Sequence, residues 1–366
     1  MNAPKLTSFA APQGGAQPPW GGPVGAEMQA ASTGSSRSRL SKLLPVAAGL
    51  VLAALPWFVS PYQQDLIAKI LVYALFALSL ELLVGTTGLV SLGHAAFFGI
   101  GAYVTVLASP QGAPASIVWL VPLAMLAATA YALFVGALSL RTRGVYFIMV
   151  TLAFAQMAYF VFHDTKLGGG TDGIFMYVRP VLGAGGAVWL DLEDKRHFYY
   201  LALGALALTY ALLALLLRSR FGHALVGIRL NEQRMRAAGF RTYGYKLAAF
   251  VIAGAFAGLA GFLVAVKDAA VNPELLSWHE SGAVLLMIIL GGLGHLRGAF
   301  IGAFAFTLLK EFFQSESLLG PLASHWQMTL GFTIIAFVAG LPKGLIGAGQ
   351  MLRQRRRAPV REAADE

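Results

Sequence analysis

From position 43 to position 341 the chain is built of apolar blocks separated by short polar breaks. A helix rises 1.5 Å per residue and the hydrocarbon core of a bilayer is about 30 Å thick, so a crossing needs about twenty apolar residues. On that measure the blocks at 43–60, 66–84, 94–109, 116–140, 145–162, 198–217, 246–266, 281–293, 298–313 and 326–341 are candidate helical spans. Two of them are too short for a simple crossing; the block at 281–293 would reach only about 20 Å. The pattern therefore predicts an all-α, polytopic helical membrane bundle of about ten spans, eight to ten in all, some of them broken or re-entrant. Residues 1–42 are rich in Pro, Gly, Ala, Ser and Gln, show no apolar periodicity, and are expected to form an attached, disordered tail. The spans and their loops form one membrane domain over 43–344, followed by a polar tail over 345–366.

Two stretches echo one another, LVSLGHAAFFGIGA at 89–102 and LGGLGHLRGAFIGA at 290–303. At constant offset Leu89, Leu92, Gly93, His94, Ile100, Gly101 and Ala102 meet Leu290, Leu293, Gly294, His295, Ile301, Gly302 and Ala303. Glycine-interrupted apolar segments in matching places of two halves point to a substrate path, because a broken helix bares backbone polar groups only where a cavity satisfies them. The same glycines also serve close packing of helices, a common use in membranes. Both readings stand at this level.

Composition agrees with the pattern: 57% of residues are hydrophobic and 12% charged, with mean hydropathy +0.67. The net charge of +10 does not argue for nucleic acid, because the basic residues lie in the breaks between apolar blocks, where they set orientation. The break at 218–246 carries Arg218, Arg220, Arg229, Arg234, Arg236, Arg241 and Lys246 against the single acid Glu232, and the positive-inside rule places it in the cytoplasm. With ten spans, both termini fall on that side. The break at 163–197 falls outside. The chain has no cysteine, so thiolate metal sites and disulfides are absent.

Within 218–245 the apolar positions Leu225, Ile228, Met235 and Ala238 recur at helical spacing, and Glu232 precedes Arg236 by four residues in the order that favours an ion pair. This predicts an amphipathic cytoplasmic helix from Gly222 to Gly239, stopped by a left-handed glycine cap. Few ionisable residues fall inside spans. Lys69 and Glu81 lie near opposite ends of one span, where a long side chain snorkels or meets a water-lined surface. Gln156 is deeper, and His94 and His295 open their spans beside Gly93 and Gly294, where a helix N-terminus favours an anion such as a carboxylate. Glu81, Gly93, His94, Gln156, Gly294 and His295 are thus the candidate translocation path.

No GxxxxGK[ST] loop occurs, and neither HExxH, GxSxG nor Cys/His spacing supports an enzyme. The chain is expected to bind no cofactor and no metal. A solute transporter remains, driven either by separate ATPases or by an ion gradient; the latter usually shows mid-membrane carboxylate or histidine relays.

Several long stretches, in order, resemble one family. They are ALSLELLVGTTGLVSLGHAAFFGIGAY at 77–103, LRTRGVYFIMVTLAFAQMAYFVF at 140–162, GGGTDGI at 168–174, YKLAAFVIAGAFAGLAG at 245–261 and SGAVLLMIILGGLG at 281–294. Together they look like the LivM-type permease subunits of ATP-binding-cassette importers for branched-chain amino acids, over about 66–344. The resemblance implies an inner-membrane, multi-pass subunit that pairs with a second, LivH-like permease and receives its solute from an extracytoplasmic binding protein. Two cytoplasmic ATPase subunits, which use the ATP, would drive it. It further implies that the helix carrying Gly222, Ile228, Arg229, Glu232, Arg236 and Gly239 is the coupling segment on an ATPase. The turn Gly170, Thr171, Asp172 and Gly173 would then face the binding protein. Glu81 stands where relatives usually carry Asn or Asp, Ala299 where many carry Pro, and His295 replaces a small polar residue. Related permeases move urea, short amides or aromatic acids, so the implied cargo is a branched-chain amino acid or another small polar solute.

Overall fold

The computed structural model describes residues 49, 51–110, 112–184, 187–341 and 344–347. The 1–42 tail, the first residues of the block at 43–60 and the C-terminal tail after 347 lie outside the described residues. Within the compact unit that runs from Ala53, a short 3-10 turn, Leu55–Trp57, leads to Ser60. The Ser60 hydroxyl accepts from the Gln63 amide while the Gln63 side chain accepts from the Ser60 amide. This capping box, with proline at the first helical position, starts helix α1 (Pro61–Glu81).

Helix α1 widens into a π turn over Leu82–Thr87, and the chain then unwinds to Gly93 before the short helix α2 (His94–Ala108). Helices α3 (Ile117–Ser139) and α4 (Val145–Asp164) follow. The 163–197 connection contains strands β1 (Ile174–Phe175), β2 (Val181–Ala184) and β3 (Ala187–Asp191), with β2 and β3 paired as a hairpin. Next come α5 (Lys195–Arg218), α6 (Arg220–Leu230), α7 (Glu232–Ala237) and α8 (Thr242–Asp268). Strand β4 (Ala270–Val271) leaves α8 and pairs antiparallel with β1. Helices α9 (Trp278–Gly291) and α10 (Leu296–Gln314) are bent against each other by 114°, and α11 (Trp326–Gly340) follows.

Among the described residues six helices are long and apolar enough to cross a membrane, or seven if the bent α9–α10 pair is one span; α2 is a shorter apolar helix. The protein is an all-α, multi-pass membrane bundle. Its short block at 281–293 is the first arm of a broken helix, in line with its length.

Helices α1 and α8 are the most enclosed of the long helices, while α3, α4 and α5 keep broad apolar faces outward. Leu126, Phe134, Met149, Phe160 and Leu215 are among the large side chains on those outer faces, as lipid contact requires. The centre is drawn together by small residues. A Cβ on Gly101 of α2 would lie 2.4 Å from the Gly258 carbonyl oxygen of α8, and one on Gly261 would lie 2.0 Å from that of Phe98. Gly254 and Gly258 press against Ala132 and Ala128 of α3. The later half of each echo is therefore a packing element: Gly302, partner of Gly101 in the repeat, meets the Met287 carbonyl oxygen in the same way. The earlier half is where helices break, at 88–93 and at 292–295.

Candidate functional site

The two helix breaks and the basic loop converge at one end of the bundle, and Glu81 lies where they meet. Its side chain is 1% exposed, so it neither snorkels nor borders water, unlike the expectation from its place near a span end. The reason is a backbone partner: Glu81 Oε1 accepts from the Gly294 amide at 2.6 Å, just ahead of the N-terminus of α10, where negative charge is favoured. The His295 amide and the Arg229 guanidinium also face the carboxyl, and Oε2 is buried with no hydrogen-bond partner. Gly85, one turn on, makes the seat: a Cβ there would sit 1.9 Å from Glu81 Oε1. Gly294 adopts φ +86, a left-handed conformation that aims its amide at the carboxyl and suits glycine.

The basic loop folds as two helices, where its periodicity predicted one from Gly222 to Gly239. Asn231 is extended and its side chain accepts from the Arg234 amide at 2.9 Å, ending α6 and capping α7. Gly222 and Ile228 face inward and are buried. Arg229 Nη1 donates to the Gly85 carbonyl oxygen, one of the open acceptors at the C-terminal end of α1 and its π turn, where a cation is stabilised. The predicted pair forms, with Arg236 Nη2 2.5 Å from Glu232 Oε1. Glu232 also holds Lys246 Nζ at 2.6 Å and the Thr242 hydroxyl at 3.1 Å, both at the start of α8. Partial burial disfavours the carboxylate, but Lys246, then Arg236 and Thr242, outweigh it and hold Glu232 at about 2, well below the ordinary carboxylate range. Gly239 supplies the predicted left-handed stop at φ +86. The Phe240 and Gly239 amides bond back to the Met235 and Arg236 carbonyls, a Schellman closure. Val226 is 44% and Leu230 81% exposed on the outer side.

The two echoing histidines have opposite surroundings. His94 is fully buried, stacked on Phe76 at 5.5 Å and edge-on to Phe97. The Ser79 hydroxyl donates to the Phe76 carbonyl oxygen at 2.7 Å. His94 Nε2, 2.9 Å from that hydroxyl, is thereby assigned as the protonated nitrogen that donates to it. Gly93 sits against the Thr151 carbonyl oxygen. His295 is exposed, with Nδ1 3.3 Å from the Leu293 carbonyl oxygen. Gln156 lies half-buried on α4, a peripheral helix, and is not brought to the Glu81 site. Gly170, Thr171 and Asp172 form an exposed 3-10 turn, and Gly173 leads into β1, at the end of α8 opposite the basic loop.

Sequence reading passed over a second polar seam on α1. Tyr73 donates to Glu280 Oε2 at 3.3 Å, the Tyr62 hydroxyl meets Glu311, and Lys310 lies over the Trp326 ring at 5.4 Å. The available signal was Lys69 and Tyr73, four apart and hence on one face of α1, opposite an acid in the first turn of α9.

A family model described as "Branched-chain amino acid transport system / permease component" matches residues 63–340. Two relatives are each 30% identical to this chain, over 83% of it and 75% of their own length. They are the high-affinity branched-chain amino acid transport system permease protein LivM of Salmonella typhimurium and that of Escherichia coli. No solved structure matches. The family match takes in α1 with its π turn, both helix breaks and the basic loop. The chain thus belongs to the permease components of branched-chain amino acid transport systems.

Proposed function

We propose that this chain is one membrane half of an inner-membrane importer. With a second permease it would pass a branched-chain amino acid, or a related small polar solute, inward; two ATPase subunits would bind at α6 and α7, and an extracytoplasmic binding protein at the Gly170–Gly173 turn. Both termini are then cytoplasmic. One observation carries the reading. The basic loop is two short helices fastened to the bundle by Arg229 and Glu232, while Val226 and Leu230 stay uncovered. A fastened lever with an apolar outer face suits a protein partner that must pull the spans. The exposed turn at the other end, with Trp189 of the hairpin 70% exposed, suits a second one.

Co-purification in mild detergent tests the partners, and a screen of small solutes for ATPase stimulation with the cognate binding protein tests the cargo. Capture of ATPase subunits and stimulation by a branched-chain amino acid are expected. Uptake that persists without any ATPase and collapses with the proton gradient would replace the reading by ion-coupled transport. Reporter tags that put 218–245 outside the cell would also end it.

A further inference from the structure

Three pieces of backbone meet at the basic end of the bundle: the π turn Leu82–Thr87, the 292–295 break between α9 and α10, and the C-terminal end of α6. Two side chains join them. Arg229, the penultimate residue of α6, donates to the Gly85 carbonyl oxygen inside the π turn. Glu81, one residue before that turn, accepts from Gly294 inside the α9–α10 break. We propose that Arg229 and Glu81 are positioning residues of a two-joint linkage, α6 to π turn to α9–α10 break, through which movement of the basic loop changes the bend of the broken helix. The linkage rests on the reading of that loop as the ATPase contact.

The Arg229 joint is a charge-assisted bond from a guanidinium to a C-terminal carbonyl, and the Glu81 joint is a bond from a backbone amide at an N-terminus to a buried carboxyl oxygen; each is stronger away from bulk water. Both helix ends are ones that can re-form differently. A π turn has a local excess of backbone and is frequent at functional sites, and the neighbouring break already bends its helix by 114°. Glu81 keeps one oxygen, Oε2, buried and unpartnered. Such an atom costs free energy in this arrangement and is satisfied by a second donor in another; the linkage assigns that donor to the loop's other position. A Cβ on Gly85 would collide with the Glu81 carboxyl, so the seat is shaped to admit this side chain.

The test uses the complete transporter in proteoliposomes and reads solute moved per ATP hydrolysed. Arg229→Ala and Glu81→Ala should each lower that ratio about tenfold, the scale of a moderate coupling between sites. Arg229→Lys, which still donates to Gly85, should recover most of it. The double alanine variant should be no worse than the poorer single one, because both break one chain of contacts. Multiplying losses, or an unchanged ratio in either single variant, would overturn the linkage. A second measurement leaves the linkage residues intact. The chain has no cysteine, so nitroxides can be placed by Leu230→Cys and Leu293→Cys, both at exposed sites. ATP should change the environment of both; a response at 230 with none at 293 would refute the proposal even where an alanine variant fails to fold. A wild-type complex that does not retain ATPases defeats the proposed function itself, whereas a coupled wild type with an unaffected Arg229→Ala defeats only the linkage.

Discussion

Glu232→Gln should free α7 from the start of α8, because one carboxylate serves three groups at once: Arg236, Thr242 and Lys246. A neutral amide keeps the shape but loses the charge that draws both cations. Glu232 sits at about 2 instead of the ordinary 4.5, a displacement equivalent to about 3 kcal/mol if taken whole. Arg236 is 48% exposed while Lys246 is 15% exposed, so solvent screening reduces the Arg236 share and leaves about 1–2 kcal/mol. That corresponds to about five- to thirtyfold in the equilibrium between docked and released α7. The sign follows from the depressed value. The stabilisation is complete above pH 4.5 and disappears as pH falls through about 2. A nitroxide introduced by Gln233→Cys, an exposed position in this cysteine-free chain, reports the release as increased mobility in detergent or nanodiscs. Wild type should keep an immobilised label at pH 7 and lose it only well below pH 4.5, whereas the Glu232→Gln protein should show the mobile signal already at pH 7. Equal mobility of the two proteins at pH 7, or wild-type release centred at 4.5, would refute the argument.

Gly302→Val should destabilise the α9–α10 pair, since even a Cβ would lie 1.8 Å from the Met287 carbonyl oxygen; overpacking of this kind costs about 1–3 kcal/mol, visible as a lowered melting temperature in detergent. His94→Phe should fold and melt within about 1 kcal/mol of wild type, because the lost Nε2 bond to the Ser79 hydroxyl is offset by removal of the buried, unpartnered Nδ1, while Ser79 keeps its bond to Phe76; a collapse of the melting temperature would show that the imidazole holds more than this. Trp189→Ala should weaken stimulation of ATP hydrolysis by the binding protein, raising the concentration needed several-fold, as truncation of an exposed aromatic anchor does at an interface. An unchanged titration would remove the hairpin from that contact.

The membrane class, the main spans and the broken helix at 281–313 were legible because they depend on the length and apolarity of blocks, which a bilayer reads almost directly. The ion pair of Glu232 with Arg236 and the Gly239 stop were legible because both are local, fixed by spacings of four and by a single conformation. What periodicity missed was the interruption at Asn231. An extended residue whose side chain caps the next turn preserves the apolar spacing on either side, so α6 and α7 read as one helix although they are two.

Glu81 and His94 were misplaced in environment for a common reason: burial in a bundle is decided by partners far along the chain. Position near a span end suggested water for Glu81, yet Gly294, more than two hundred residues away, supplies an amide and Gly85 supplies the space. The echo of His94 with His295 suggested equivalent roles, but α2 packs against α8 and α3, with His94 enclosed by Phe76 and Ser79 of α1, whereas the α10 N-terminus stays at the surface. Repetition in sequence therefore transmitted the geometry of the break and the close glycine contacts behind it, both properties of backbone. It did not transmit the polar environment, which depends on what packs across each break. That distinction also explains why the joints at Gly85 and Gly294 are made to backbone atoms: a carbonyl or amide at a helix break keeps its direction when neighbouring side chains change, so a charged residue from another element can use it as a stable hold.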